Sequence, residues 1–322
     1  MVDGESAAVE ALAEPGIVDP SFGETTRIVE ALARTRPDHV RFLRRSFAAR
    51  EPLLMAATER NAEAIMAIVG EENLLDFCDD YHFMCDQFME EEIFFRRNGC
   101  YRLSRFEDAL EQVYANAPYM TRYQHFIILT HVAWENHARA LWHFEHCFLT
   151  GLAPGSQHLE IGPGHGLLLH LAAVSPNVAG VTGWDVSQAS IDQAGASLTA
   201  LGSAGRATLA VRDLFAADDG QRFDSATLSE ILEHLEDPVA ALRATARRLR
   251  PGGRIWVNVP VNSPAPDHIY LFRTPEEVVA AVREAGLEPL DTAFFPMTGQ
   301  SLERARKMKL TITAVVTAQL PA

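Results

Sequence analysis

The sequence predicts an α/β fold: a doubly wound, mostly parallel seven-stranded sheet with an antiparallel C-terminal strand, preceded by an all-α N-terminal domain. Three observations predict it. The hydrophobic pattern changes near residue 156, from helical spacing to short apolar runs that alternate with helical ones. Residues 158–166 read as a strand running into Gly162, Gly164 and Gly166, and an apolar helix follows, the arrangement that opens ligand sites at the carboxyl edge of a parallel sheet. The last two strand-like runs, 290–295 and 310–318, lack a long crossover helix between them, so they pair antiparallel.

The elements follow in order. Residues 1–20 carry no clear period and read as a loose start. Pro37-Asp38 opens a helix with Val40, Phe42, Leu43 and Phe47 on its apolar side. Leu53, Leu54, Ala57, Ile65, Met66 and Ile68 mark a second, stopped by Gly70, and residues 74–95 a third. Ser104 with Glu107 resembles a capping box for a helix around 109–114. The apolar stretch from Tyr119 to Leu149 predicts one long helix, ended by Gly151 and Pro154. Strands are then expected at 158–161, 180–184, 208–211, 225–229 and 254–259, with helices starting near His165, Gln188, Pro238 and Pro275. The domain boundary falls at residue 150: 1–150 helical, 151–322 built on the sheet.

The bulk numbers narrow the function. Of the 322 residues 48% are hydrophobic and 22% charged, ordinary for a globular protein. A net charge of −15 argues against a nucleic-acid surface and against an anionic membrane. No apolar run reaches spanning length, and the acidic start lacks the layout of a signal peptide. Cys78, Cys85, Cys100 and Cys147 show no zinc-type spacing and are expected as reduced, mostly buried thiols, which suits a cytoplasmic enzyme.

Chemistry-bearing residues follow four successive strands. The first ends in Glu160 and the glycine turn. The second ends at Asp185, roughly twenty residues on, where a carboxylate can accept both hydroxyl hydrogens of a ribose. The third ends at Asp213-Leu214, an acid for an exocyclic amine beside an apolar cover for an adenine ring. The fourth runs into Glu230-Ile231-Leu232-Glu233-His234.

With these stretches, the C-terminal half resembles the class I S-adenosylmethionine-dependent methyltransferases. The matching segments are Glu-Ile-Gly-Pro-Gly-His-Gly at 160–166, Trp-Asp-Val-Ser at 184–187, Arg-Asp-Leu-Phe at 212–215 and Glu-Ile-Leu-Glu-His-Leu-Glu-Asp-Pro at 230–238. Arg-Leu-Arg-Pro-Gly-Gly-Arg-Ile at 248–255 matches the family's turn before the fifth strand, and coverage runs over about half of the chain, residues 150–319. The resemblance implies S-adenosylmethionine as cofactor. Glu160, Gly162, Gly164 and Gly166 would then shape the pocket for its methionine portion. Asp185 and Val186 would hold the ribose end, Asp213 and Leu214 the adenine, and Glu230 and Ile231 would border the sulfonium. The segment after the fourth strand is similar to the small-molecule branch, which implies a small-molecule acceptor in a biosynthetic pathway. The chain lacks the Gly-Gly-Gly turn of the plant-type and anthracycline-type O-methyltransferases, so their dimer architecture and catalytic base do not carry over. A homodimer stays open, and the helical half is expected as a substrate lid, an oligomerisation module, or both.

Several readings stay open beside this one. The acceptor is a small molecule or, alternatively, a peptide or protein, and the fold also serves aminopropyl transfer or a cofactor-binding regulator. A dehydrogenase is disfavoured because Gly-x-Gly-x-Gly replaces the dinucleotide spacing Gly-x-Gly-x-x-Gly. His234 and His268 are the candidate catalytic bases, each set against a loop-fixing histidine. Tyr119 and Tyr123 either meet substrate or pack as aromatic core. His125, His131, His137, His143 and His146 share the long apolar stretch, but His131 and His146 lie ~22 Å apart along a helix, which favours packed histidines over a metal site. The acids Asp79, Asp80, Asp86, Glu90, Glu91 and Glu92 read as a solvated helix face.

Overall fold

The computed structural model describes residues 16–217 and 219–322. The loose start expected for residues 1–20 falls mostly outside them. The first half is helical throughout: α1 (Gly23–Thr35), α2 (Val40–Phe47), α3 (Pro52–Val69), α4 (Leu74–Asn98), a single turn α5 (Phe106–Ala109), α6 (Ala117–Ala133) and α7 (Glu135–His143). Pro37 and Pro52 stand at helix starts, where the missing N–H costs nothing.

Two expectations for this half are corrected. The helix over 119–149 is broken at Trp134, whose backbone is extended (φ −104°, ψ 125°). The break lets the indole N–H reach Tyr81 Oη at 2.9 Å inside the helical core, while the Glu135 N–H caps onto Thr298 Oγ1 at 3.1 Å. Helix ends leave carbonyls without intrahelical partners. The buried Arg50 guanidinium takes one of them, Val132 O, at 2.8 Å, and burial lowers its pKa to about 9. The capping box at Ser104 is also absent: α5 starts after Arg105 with no side-chain cap, and the Phe106 N–H goes to Glu236 Oε1 at 3.1 Å. The carboxylate comes from across the molecule, which sequence-local reasoning cannot see.

The second half holds β1 (Ser156–Ile161), α8 (Leu167–Val174), β2 (Val178–Asp185), α9 (Gln188–Ala200), β3 (Ala207–Val211), β4 (Phe223–Ser229), α10 (Pro238–Ala246), β5 (Leu249–Val261), α11 (Pro275–Glu284), β6 (Glu288–Pro296), α12 (Leu302–Met308) and β7 (Ile312–Gln319). The strand order is β3-β2-β1-β4-β5-β7-β6, with β7 alone reversed. Progression changes direction between β1 and β4, which opens a crevice beyond their carboxyl ends.

Each face of the sheet has its own core. One is covered by α10 and α11 through Leu242, Val278 and Val282. The other is continuous with the helical half: Ile28, Ile65, Phe126 and Phe144 belong to the same cluster as Leu169, Trp256 and Val315. Phe144 packs on Trp256 at 5.0 Å, Asn136 donates to Thr313 Oγ1 at 3.0 Å, and His143 bridges the Trp256 indole N–H and Asp291. The first half thus completes the hydrophobic core of the sheet.

The cysteines and acids depart from expectation. All four thiols are free, but Cys100 and Cys147 are exposed rather than buried. Of the acids, Glu91 is buried against Arg102, and Asp80 pairs with His125 at 2.8 Å, because the helical half folds back over this face of α4.

Candidate active site

The glycine turn forms where β1 stops. Gly162 has φ +66° and donates its N–H to Trp184 O at 2.8 Å. A Cβ there would collide with Ile231 Cδ1, so glycine allows the fourth strand's loop to close over the turn. At Gly164 (φ +48°) nothing lies within 4 Å of the place a Cβ would take, which leaves an open backbone surface for a ligand. Glu160 lies just before the turn, 3% exposed, with Oε2 unpartnered, and burial holds its carboxyl well above the usual range.

Asp185 ends β2. Its Oδ1 accepts the Ser187 N–H at 2.8 Å and its Oδ2 the Ser190 hydroxyl at 2.6 Å, which fixes the carboxylate and leaves its outer lone pairs free for a diol. Val186 beside it is 65% exposed. After β3, Asp213 Oδ1 accepts the Phe215 N–H at 2.8 Å. Leu214, expected to cover an adenine, is 7% exposed and packs in the core, whereas the neighbouring Phe215 is 52% exposed and presents the open apolar surface. The donor set at this edge is carboxylates and bare backbone. That suits a ribose diol, an ammonium and a sulfonium, all of which want acceptors or negative charge, and so fits S-adenosylmethionine.

The loop after β4 carries the densest chemistry. Glu230 adopts left-handed φ +53°, unusual for a residue with a Cβ and a mark of functional constraint. Burial, reinforced by Asp267, pushes its carboxyl up to about 8. Glu233 is fully buried with both carboxyl oxygens unpartnered, and burial raises it well above the usual range. His234 Nδ1 lies 3.2 Å from Asp267 O and 3.4 Å from Asp267 Oδ2. The Tyr114 hydroxyl, 3.1 Å from the same nitrogen, donates to Asp267 Oδ2 at 3.2 Å. The hydrogen of His234 therefore sits on Nδ1, and Nε2 keeps a free lone pair. His268 repeats the pattern: Nδ1 is 2.6 Å from Ser263 O, so Nε2 is again bare, and burial lowers the ring to about 4. The two rings meet edge to face at 5.0 Å.

Both histidines singled out in the sequence thus come together, and Ile231 packs on the glycine turn at Gly162. Of the two tyrosines, Tyr123 joins the site and donates its hydroxyl to Asp267 Oδ1 at 3.2 Å. Tyr119 lies at the edge of the same region: its ring meets Phe83 at 6.2 Å, it packs beside Val113 and Ile269, and burial with the nearby Asp267 charge raises its phenol. Asp267, Tyr114 and Glu233 were missed. Asp267 is 1% exposed and collects two phenols from the helical half, but in the sequence it is one acid in a proline-rich loop. Glu233, His234 and His268 offer ligand atoms all within 4.8 Å of one another, a geometry able to hold a cation where the sequence reading expected none. Beside them lies a cavity of only about 20 Å³, room for a single water, walled by Phe88, Tyr123, Phe126 and Trp134, with Glu230 and His268 on its polar side.

The buried histidines and acids pull stability in opposite directions with pH. Burial depresses His158 to about 3 and His137 and His165 to about 4, so they favour folding above their unfolded pKa and lose that contribution as pH falls. Glu160 and Glu230 are raised, so their contribution is present at low pH and lost as pH rises above about 4.5. Histidine losses dominate below pH ~6.5 and acid losses above it, so the melting temperature is expected to peak near pH 6–7 and to fall by about 10 °C at pH 4.5. Differential scanning calorimetry across pH checks this; a melting temperature still climbing at pH 9 would contradict it.

Residues 159–255 match the family model of a methyltransferase domain. The chain is 32% identical over 171 residues to a ubiquinone biosynthesis O-methyltransferase of Aromatoleum aromaticum, covering 46% of this chain and 71% of that protein. It is 32% identical over 121 residues to the protein of the same description from Stutzerimonas stutzeri, covering 38% of this chain and 50% of that one. An O-methyltransferase family structure from Burkholderia thailandensis superposes with a TM-score of 0.51 at 14% identity, over 76% of this chain and 71% of that one, which bears on the fold alone.

Proposed function

The chain belongs to the class I S-adenosylmethionine-dependent methyltransferases, and from that premise we propose that it methylates a hydroxyl group on a small-molecule acceptor presented beside His234. The observation that carries this reading is His234 Nε2, which accepts no hydrogen bond and lies 3.7 Å from Glu233 Oε1, on a ring oriented by Asp267.

S-adenosylmethionine, when bound, supplies an electrophilic methyl on a sulfonium. Everything else falls to the chain. Asp185 holds the ribose diol and the 162–166 turn the methionine portion. Asp213 takes the adenine amine, with Val186 and the exposed Phe215 offering apolar faces to the adenosine. Glu230 and Ile231 line the approach to the sulfur. As the oxygen–methyl bond forms, the acceptor's proton passes to His234 Nε2, and the adjacent Asp267 stabilises the resulting imidazolium. His268 is the alternative acceptor for that proton. Phe88, Tyr123 and Phe126 pack behind the site and exclude water, and alignment of the acceptor with the methyl supplies most of the acceleration in a displacement of this kind. The helical segment 1–150 acts as the lid over residues 151–322. The names of the curated relatives favour oxygen over nitrogen or carbon as the methylated atom. The free thiols fit a cytoplasmic setting, where the enzyme works as a monomer or homodimer. Transfer of labelled methyl to small phenols tests the reading; label appearing only on peptides would overturn it.

A second reading is favoured by the Glu233, His234 and His268 cluster. A divalent cation there would explain why neither Glu233 oxygen makes a hydrogen bond, and would lower the acceptor hydroxyl's pKa directly. The two readings separate on chelation. The cation reading expects turnover to drop at least about tenfold with chelator and return with added Mg²⁺ or Zn²⁺. Unchanged turnover leaves His234 as the base.

A further inference from the structure

Away from the acid cluster, three imidazoles meet: half-buried His131 and His137 from the helical half, and buried His165 from inside the glycine turn. Their hydrogens can be placed by elimination. His165 Nδ1 accepts the Leu167 N–H at 3.2 Å, so its own hydrogen is on Nε2. That Nε2 faces His131 Nε2 at 3.1 Å and must donate to it. His131 therefore carries its hydrogen on Nδ1, which is buried and has no partner. The neighbouring Thr130 hydroxyl cannot help, since it donates to Ile127 O at 2.6 Å and stands 2.8 Å from His137 Nδ1, whose hydrogen it accepts. Burial keeps all three rings below the usual imidazole range, so none is an imidazolium near neutral pH.

An oriented N–H, one ring carbon from the atom that touches the glycine turn, lacks an acceptor. The ligand portion expected against that turn has an ammonium and a carboxylate. Glu160 Oε2, also unpartnered, offers an acceptor for the ammonium. The carboxylate needs a donor, and it is the cofactor's one anionic group. We propose that His131 Nδ1–H binds the methionyl carboxylate of S-adenosylmethionine, with His165 as the positioning residue that sets the His131 tautomer. The helical half then reads the cofactor directly, and the histidine within Gly-Pro-Gly-His-Gly acts through its partner on α6.

The test compares two probes on the full chain by calorimetry: S-adenosylhomocysteine, and 5′-methylthioadenosine, which lacks the amino-acid end. His131→Gln keeps a polar atom toward His165 but loses the Nδ1 donor; His131→Asn places an amide N–H near the Nδ1 position. The Gln variant should bind S-adenosylhomocysteine roughly 10- to 100-fold more weakly and methylthioadenosine within about twofold of wild type, and the Asn variant should recover most of the loss. Equal loss for both probes, or no loss, overturns the proposal. If both variants fold poorly, wild-type protein labelled with ¹⁵N at histidine decides: the His131 Nδ1 resonance should move with S-adenosylhomocysteine and stay with methylthioadenosine. An unmoved resonance overturns the proposal equally.

Discussion

His234→Ala should lower kcat by roughly a hundredfold to a thousandfold while leaving the affinity for S-adenosylhomocysteine unchanged. The size follows from losing either the proton acceptor or, in the cation reading, one of three ligands. The selectivity follows from position, because His234 contacts Asp267, Tyr114 and Glu233 and none of the residues assigned to the adenosine. Asp267→Asn should cost less, about tenfold, since the backbone carbonyl still accepts from Nδ1 while the charge that stabilises the imidazolium is gone. Single-turnover rates with saturating cofactor, beside calorimetry, separate the two quantities. Wild-type turnover in His234→Ala would reduce the ring to a loop anchor and pass the role to His268.

Asp185→Ala should weaken S-adenosylhomocysteine binding by about a hundredfold, near 3 kcal/mol, because a charged acceptor for two ribose hydroxyls disappears. Two local bonds vanish with it, from the Ser187 N–H and the Ser190 hydroxyl, so the start of α9 loosens as well. Asp185→Asn keeps an acceptor oxygen and should recover part of the loss, which separates the ribose contact from the shape of the loop. Undiminished affinity in the Ala variant would remove Asp185 from the cofactor site.

The sequence made the sheet edge legible because each of its signals is local. Glycines at 162, 164 and 166 and acids at 160, 185, 213 and 230 fall at the ends of apolar runs whose period is readable without partners. The alternation of strands and helices then orders the sheet, and the short link between β6 and β7 gives away the reversed strand. What stayed hidden depends on approach in space. Asp267 gains its role from Tyr114 and Tyr123, 153 and 144 residues earlier in the chain. Glu233 does not stand out beside Glu230 until the fold buries it. The break at Trp134 left no trace because the apolar pattern runs straight through it; an indole that prefers a buried phenol to one more helical turn is a tertiary event. Leu214 and Phe215 exchanged exposure for a similar reason, since the loop's turn after β3 decides which of two adjacent apolar residues faces inward.

The two phenols on Asp267 also bear on how such an enzyme can be re-engineered. A methyltransferase whose cap merely sits over the acceptor would accept a cap transplanted from a relative. Here the helical half supplies hydrogen bonds to the Asp267 carboxylate beside His234 and shares one hydrophobic core with the sheet through Phe144 and Trp256. A chimaera that omitted Tyr114 and Tyr123 would leave a buried carboxylate without two of its donors, and swapping the cap would disturb chemistry and folding at once.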